Sequence, residues 1–171
     1  RGLGDVYKRQ VVDTQNFMTK TGVRTFEAAA FLRRNGADVT RVRKLFRENA
    51  AEYKAKADAV SQAEIYRNAY AISICHSEGI ASPTVVGAQA ANELLDIRGV
   101  KASFVLTEYQ NKLFFSARSI DEVNVQVIME RMGGGGHLNI AGCQLENTSV
   151  EEGIIVLKRT LDKMIEEGEI S

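Results

Sequence analysis

Four consecutive glycines followed by a histidine, in the stretch RMGGGGHLNIAGCQL, constrain the fold more than any other feature of this chain. Glycine has no side chain to pack and loses the most conformational entropy on folding. Four in a row are therefore expected only where the chain needs a backbone without side chains. Successive glycine N–H groups can converge into a concavity, called a nest, that binds anions such as phosphate. The alternative is a flexible connection between a helix and a strand. The adjacent histidine can donate a hydrogen bond to phosphate and favours a ligand site. The candidate residues are Gly133, Gly134, Gly135, Gly136 and His137.

The sequence around this run alternates strand patterns with helix patterns. Apolar and β-branched runs predict strands, and serines followed three residues later by glutamate predict helix starts. The order β-α-β-β-α-β-α indicates an α/β domain whose mixed sheet is flanked by helices. The last helix has an apolar face from Val150 to Met164. The predicted strands cover residues 69–75, 102–107, 113–117 and 143–145, with a turn at Gln110-Asn111 and helices starting at Ser82-Pro83, Ser119 and Ser149.

The first third of the chain shows a different pattern. Residues 11–14, Val-Val-Asp-Thr, predict the end of a buried strand that runs into a polar loop. Thr25 and Thr40 are suitable caps for two short helices. Apolar residues spaced by three and four over residues 46–60 then predict an amphipathic helix that could bridge two domains. Residues 1–10, RGLGDVYKRQ, have no apolar period, and we interpret them as a non-native linker outside the fold.

The composition limits which kinds of molecule this chain is expected to bind. Lys and Arg together number 22, as do Asp and Glu, so the formal net charge is zero. Proteins that bind nucleic-acid duplexes usually carry a basic excess, so no duplex partner is expected, whereas a small phosphorylated ligand needs only a local site. The cysteines, Cys75 and Cys143, have neither metal-site nor disulfide spacing and are expected to be reduced and buried, as in the cytosol. No apolar run reaches the roughly 18 residues of a membrane span.

Three further side chains are candidates for chemistry. Arg118 ends the strand before the glycine run, where a guanidinium can bind phosphate through two parallel hydrogen bonds. A surface arginine explains it equally well. Asp13 ends the strand predicted at residues 11–14, where a carboxylate can bind Mn²⁺ or Mg²⁺ or, more simply, cap a turn. His76 is expected to be structural or exposed.

Two stretches resemble a known family. The stretch GGGGHLNIAG resembles the GGGGH-x-x-A-A-G signature of the DHHA1 domain, with Ile140 at a position where alanine is frequent. The stretch VVDTQNFMTKTGVRTFEAAAFLRRNGAD resembles the end of a DHH phosphoesterase domain. Together they are most similar to cyclic di-AMP phosphodiesterases of the GdpP (YybT) type, and the similarity covers residues 11–171.

The resemblance implies an enzyme that hydrolyses cyclic di-AMP to the linear dinucleotide pApA with two Mn²⁺ ions. It implies that Asp13 is a metal ligand, that the glycine run with His137 binds substrate, and that Arg118 faces the substrate. It also implies a domain order. Residues 11–47 would be the C-terminal remnant of a DHH domain, 48–66 a connecting helix and 67–171 the DHHA1 substrate-binding domain.

Other features of that family are absent from the chain. There is no Asp-His-His triplet, and the only histidines are His76 and His137. We therefore expect a C-terminal fragment that is inactive alone and needs the missing N-terminal part of the same protein. The resemblance implies that this parent protein is anchored in the cell membrane with a cytoplasmic catalytic end, and it leaves a homodimer open. Two alternatives remain: an oligoribonuclease or RecJ-like exonuclease acting on short adenine oligonucleotides, and a non-catalytic nucleotide-binding DHHA1 module.

Overall fold

The computed structural model describes residues 2–14, 16–17 and 21–171. The chain forms two compact units, residues 1–48 and 49–171, each with its own internal packing. The first unit contains helices α1 (Gly2–Asp13), α2 (Val23–Arg34) and α3 (Val39–Lys44). Among the described residues, no helix combines the length and the apolar character needed to cross a bilayer.

The strand predicted at residues 11–14 is wrong, because residues 11–13 form the end of α1 and Thr14 follows it in a turn. The N–H and the Oγ1 of Thr14 both donate to the carbonyl of Gln10, at 3.1 and 2.7 Å. A helix satisfies its backbone hydrogen bonds locally, whereas a strand needs a partner strand, and the described part of the first unit offers none. Residues 2–10, interpreted as a linker, form most of this helix, and Gln10 Nε2 donates to the carbonyl of Thr25 at 3.0 Å.

The starts of the next two helices also differ from the predictions. α2 begins after Gly22, and Thr25 lies inside its first turn, where Oγ1 accepts from the N–H of Gly22 at 3.4 Å. Asp38, rather than Thr40, caps α3 by accepting from the N–H of Arg41 at 3.1 Å. Aspartate is a better N-cap than threonine, so the helix starts at the earlier of the two candidates.

The second unit is an α/β domain built on one six-stranded sheet. The strands lie in the order β1-β2-β3-β4-β6-β5, with β2 and β3 parallel and every other neighbouring pair antiparallel. This arrangement confirms the predicted α/β fold with a mixed sheet. The elements are α4 (Ala50–Ser61), β1 (Glu64–Tyr66), β2 (Tyr70–Cys75), α5 (Pro83–Leu94), β3 (Ala102–Tyr109), β4 (Lys112–Ser119), α6 (Val125–Arg131), β5 (Gly135–His137), β6 (Ile140–Glu146) and α7 (Val150–Glu166).

Helices pack on both faces of this sheet. On one face, Phe104 and Phe115 join a large buried cluster with residues of α6 and α7. The predicted apolar face of α7 is confirmed there, since Leu157, Leu161 and Met164 are fully buried. On the other face, a smaller cluster joins α4 and α5 to β2 and β3. Burying one leucine side chain contributes about 1.5–3 kcal/mol, so the larger cluster supplies most of the hydrophobic stabilisation.

The connecting helix predicted over residues 48–66 is shorter in the structure: α4 ends at Ser61, because residues 64–66 pair with β2 as strand β1, and the helix packs within the second unit. Ala59 is 1% exposed, and its carbonyl accepts a hydrogen bond from Ser73 Oγ on β2. The helix starts after Asn49, whose side chain accepts from the N–H of Glu52 at 2.8 Å. Phe46, predicted to lie in this helix, precedes it in the first unit.

Several local predictions in the second unit are confirmed. The β3–β4 turn lies at Gln110-Asn111, with φ of +52° and +61°, as the twist of a two-residue hairpin requires. The first residue of α5 is Pro83, as predicted, although the side chain of Ser82 makes no capping hydrogen bond. Ser149 and Glu152 form the predicted capping box at the start of α7. Each of these signals depends only on residues close together in sequence.

The capping box predicted at Ser119 is wrong. Ser119 is the last residue of β4, and its hydroxyl donates to the carbonyl of Val123 at 2.6 Å. Asn124 caps α6 instead, by accepting from the N–H of Gln126 at 3.0 Å. A buried serine at a strand end satisfies its hydroxyl on the loop that follows, so it is unavailable as a helix cap.

Candidate functional site

The first two glycines of the run end helix α6. Gly133 has φ of +85°, a left-handed conformation that glycine adopts readily. Its N–H donates to the carbonyl of Glu130 at 3.0 Å, and the N–H of Gly134 donates to the carbonyl of Met129 at 2.8 Å. These two bonds form a Schellman motif. Both N–H groups are therefore engaged within the protein, and the predicted nest of four converging glycine amides is wrong.

Close packing between the glycine run and β6 explains two of the glycines. A side chain at Gly134 would collide with the carbonyl oxygen of Gly142 and with Cys143. A side chain at Gly136 would collide with Ala141, and its φ of +149° is rarely adopted by other residues. Together with the end of the helix, this packing leaves one glycine of the run without a reason in the fold.

Gly135 is that glycine. A side chain built there meets no atom within 4 Å, and its backbone does not have a positive φ. The residue is half-buried at the start of β5. Open space beside a backbone is what a closely approaching ligand requires, so the ligand explanation of the glycine run rests on this position.

Strand β5 lies at the edge of the sheet. It pairs with β6 on one side, with Gly135 opposite Gly142 and His137 opposite Ile140. On its other side, no strand of the described chain is present. An edge strand leaves part of its N–H and C=O groups unpaired, and such groups can bind a ligand. The His137 side chain is exposed at the end of this strand.

Arg118 projects from the same face of the sheet as His137. It lies opposite Ile140 on β6, which in turn lies opposite His137 on β5. Directly opposite residues of antiparallel strands share a face, with Cα atoms about 4.5–5.5 Å apart. The three side chains thus form a row across the sheet, and the fold brings two of the predicted site residues within two strand spacings of each other.

A second row, formed by Ser116, Gly142 and Gly135, lies beside the first on the same face. The residues that alternate with them, such as Phe115 and Ala117, are buried on the opposite face. Every member of the two rows is half-buried or exposed. We call these residues the β4–β6–β5 face: Ser116, Arg118, Gly135, His137, Ile140 and Gly142.

Only some of the N–H donors of the Arg118 guanidinium have a hydrogen-bond acceptor. Its Nη1 donates to the carbonyl of Ala117 at 2.8 Å. Its Nε–H is buried and has no acceptor among the described residues. Burial lowers the pKa of Arg118 below its ordinary value, although a guanidinium remains charged at neutral pH. A buried donor without an acceptor costs about 1–3 kcal/mol, and an anionic ligand would remove that cost.

Sequence reasoning missed the polar contacts that hold the β5–β6 turn. Asn139 Nδ2 donates to Asp121 Oδ1 at 2.6 Å, and Asn139 Oδ1 accepts from the N–H of Asp121 at 3.2 Å. The carbonyl of Asn139 accepts from the N–H of Ser119 at 3.1 Å. Asparagine and aspartate at these positions are turn signals, but nothing in the sequence indicates that two turns 18 residues apart meet.

The described residues do not form a metal centre. Asp13 is exposed in the first unit, where its Oδ2 lies 3.8 Å from Arg9 Nε. In the part of the chain that the structure describes, no three His, Cys, Asp or Glu side chains are grouped closely enough to hold a metal ion. A site for two Mn²⁺ ions therefore does not fit these residues, and Asp13 as a metal ligand stays a prediction. His76 is exposed after β2.

Two curated proteins with similar sequences are phosphodiesterases by name. The chain is 46% identical over 143 residues to the cyclic-di-AMP phosphodiesterase PdeA of Listeria monocytogenes serotype 1/2a (strain 10403S), a match that covers 83% of this chain and 22% of that protein. It is 42% identical over 159 residues to the cyclic-di-AMP phosphodiesterase GdpP of Geobacillus thermodenitrificans (strain NG80-2), covering 92% of this chain and 24% of that protein. The chain thus spans about a quarter of the length of these relatives.

A solved structure and a family model match as well. The crystal structure of an exopolyphosphatase-related protein from Bacteroides fragilis has a TM-score of 0.78 at 21% identity and covers 90% of this chain and 47% of that chain. At that identity, the similarity concerns the fold alone. The model of the DHHA1 domain matches residues 68–167, more than half of the chain, and this range includes the β4–β6–β5 face. The chain therefore belongs to the DHHA1 domain family.

Proposed function

We propose that this chain is the substrate-binding part of a phosphodiesterase that hydrolyses cyclic di-AMP to pApA. The names of the two relatives support this substrate class. The observation that carries the proposal is on the β4–β6–β5 face, which combines a buried guanidinium N–H without an acceptor and open backbone at Gly135. A phosphodiester fits such a face because it is an anion with several acceptor oxygens.

The proposal gives the residues of this face separate roles. Arg118 binds a phosphate oxygen through its half-buried guanidinium, and its positive charge strengthens that hydrogen bond. His137 donates a second hydrogen bond from the neighbouring strand. Gly135 leaves room for the ligand to approach the backbone. The role first assigned to Gly133 and Gly134 changes accordingly: their amides shape the loop and do not contact phosphate.

We assign the metal-dependent chemistry to other residues of the complete protein. The residues of this chain bind and orient the phosphodiester, and no bond-breaking step is assigned to them. Mn²⁺ and its remaining ligands, and also the membrane anchor implied by the resemblance, belong to the complete protein in this proposal. The chain alone is therefore expected to bind adenine dinucleotides weakly without hydrolysing them.

Calorimetric titration of pApA into the 171-residue chain tests the binding role. A hydrogen bond to a charged group contributes about 1.5–3 kcal/mol, so Arg118→Ala should weaken binding about tenfold to a hundredfold. Gly135→Val should weaken it at least as much, because its side chain would fill the open space. Arg98→Ala is the matched control, since Arg98 is an exposed arginine outside this face. Equal affinity of Gly135→Val and the unmodified chain would show that the glycines serve the fold alone.

A turnover assay tests the division of labour. The chain with Mn²⁺ and cyclic di-AMP is expected to show no hydrolysis, and a rate of about 1 per second or more, typical of an enzyme, would contradict the proposal. Comparing kcat/KM of the complete protein on cyclic di-AMP, pApA and longer adenine oligomers separates the cyclic-dinucleotide enzyme from an exonuclease. Binding without any turnover in the complete protein would instead favour a non-catalytic module.

A further inference from the structure

The position of His137 depends on elements other than its own side chain. The residue is exposed and belongs to a strand of three residues at the edge of the sheet. Among the hydrogen bonds of the described residues, none involves its imidazole. Its location on the β4–β6–β5 face is therefore set by the backbone, through the pairing of β5 with β6 and through the β5–β6 turn, Leu138 and Asn139.

This turn is fixed to the loop between β4 and α6. The carbonyl of Leu138 accepts from the N–H of Val125 at 3.0 Å, and the carbonyl of Asn139 accepts from the N–H of Ser119 at 3.1 Å. The Ser119 hydroxyl lies within 3.4 Å of the Leu138 carbonyl and 3.3 Å of Asn139 Oδ1. Two segments distant in sequence are thus joined by backbone and side-chain bonds directly beside His137.

Asn139 is the side chain that both donates and accepts in this junction. Its Nδ2 donates to the Asp121 carboxylate at 2.6 Å while its Oδ1 accepts from the N–H of Asp121 at 3.2 Å. Asp121 has φ of +55°, an uncommon conformation for a residue other than glycine. The reciprocal pair holds it there. An amide provides a donor and an acceptor together, whereas a carboxylate provides acceptors only.

We propose that Asn139 is a positioning residue for substrate binding: it holds the β5–β6 turn on Asp121 and thereby places His137 against the phosphate. This inference rests on the proposed function, in which His137 donates to the substrate. Asn139 itself does not touch substrate in this account. Its effect on binding must therefore pass through His137.

The test compares the unmodified 171-residue chain with three variants. Asn139→Asp removes the donor and places two carboxylates together. The double variant Asn139→Asp with Asp121→Asn exchanges donor and acceptor and restores the pair. Asn147→Asp is the control for the change in charge, because Asn147 is an exposed asparagine in the β6–α7 loop, outside this junction. Thermal unfolding verifies that each variant is folded.

The main readout is the affinity for pApA. It is measured once in chains that keep His137 and once in chains that carry His137→Ala. Asn139→Asp should weaken binding about threefold to tenfold, the range for loss of one or two hydrogen bonds, and the double variant should restore it. In a His137→Ala background, the same substitution should change affinity less than about twofold, since coupled residues are not additive. An equal loss in both backgrounds would overturn the proposal, because Asn139 would then act on the fold as a whole.

A second measurement separates this inference from the proposed function. If the unmodified chain binds no pApA, the proposed function fails while the positioning can still be judged from the NMR signal of the His137 Cε1–H. Asn139→Asp should shift or broaden that signal, and the double variant should return it to its original position. A signal that Asn139→Asp leaves unchanged would overturn the positioning role.

Discussion

The two units of the chain differ in how completely they bury their apolar side chains. In residues 49–171, Phe104, Leu106 and Leu157 are each 0% exposed between the sheet and its helices. In the described part of residues 1–48, Phe26 and Phe31 are 55% and 57% exposed. A sheet offers its helices a wide apolar surface, and three short helices do not. We therefore expect the second unit to be stable by itself and the first to be marginal.

Hydrogen exchange should show the largest difference between the units. Amides of the central strands β2, β3 and β4 should exchange at least about a thousandfold more slowly than those of α2 and α3, because core amides open only with global unfolding. Mass spectrometry of peptic fragments from the monomeric chain gives both rates in one experiment. Strong and equal protection of the two units would contradict the comparison.

Truncating one buried leucine in each unit sharpens the comparison. Leu157→Ala should destabilise the second unit by about 2–5 kcal/mol, the usual cost of a cavity in a packed core. Leu32, buried to 7% exposure in α2, is the matched position in the first unit. Leu32→Ala should leave the unfolding of the second unit unchanged. Urea titrations followed through NMR amide signals of β3 measure this, and a similar loss from both variants would show that the units unfold together.

Removing one helix cap in each unit should give the smallest effect. Ser149 accepts from the N–H of Glu152 at 3.2 Å, and Ser149→Ala should lower the stability of the second unit by about 0.5–2 kcal/mol. Asp38 caps α3 in the same way, and Asp38→Ala should alter only the helix content of the first unit. Urea titration with the same β3 signals, together with circular dichroism, distinguishes the outcomes. A midpoint for Ser149→Ala equal to that of the unmodified chain would count against the role of this cap.

Several elements of the second unit could be predicted because their signals are local, whereas the three-residue strands β1 and β5 were not predicted. Gln110-Asn111 adopts positive φ readily, and the box of Ser149 with Glu152 needs only residues of one turn. Residues 11–14 were mispredicted for a physical reason, since a short apolar pair fits the end of a strand or of a helix equally well. Which one forms depends on whether a partner strand is nearby, and that is not a property of the segment.

For the candidate site, the sequence indicated which residues to consider together, but it did not indicate how they are arranged. Arg118 and His137 share a face, as a common ligand requires. The glycines, however, have different reasons: Gly133 ends a helix, and Gly134 lies against β6. Those reasons depend on tertiary packing that a run of identical letters does not reveal. Asn139 was missed on the same ground, because its partner lies in another loop.

The open space at Gly135 offers a place for a covalent reporter. Both native cysteines are buried, and burial raises the pKa of Cys75 and raises that of Cys143 to about 12. Because the thiolate is the reactive form, neither should react readily with maleimides at neutral pH while the protein is folded. The Cβ of a cysteine introduced by Gly135→Cys would meet no atom within 4 Å, and its thiol would be labelled selectively. A label attached there would fill the open space beside the backbone, so nucleotide bound to the β4–β6–β5 face should slow the labelling reaction, and its rate would report occupancy of that face.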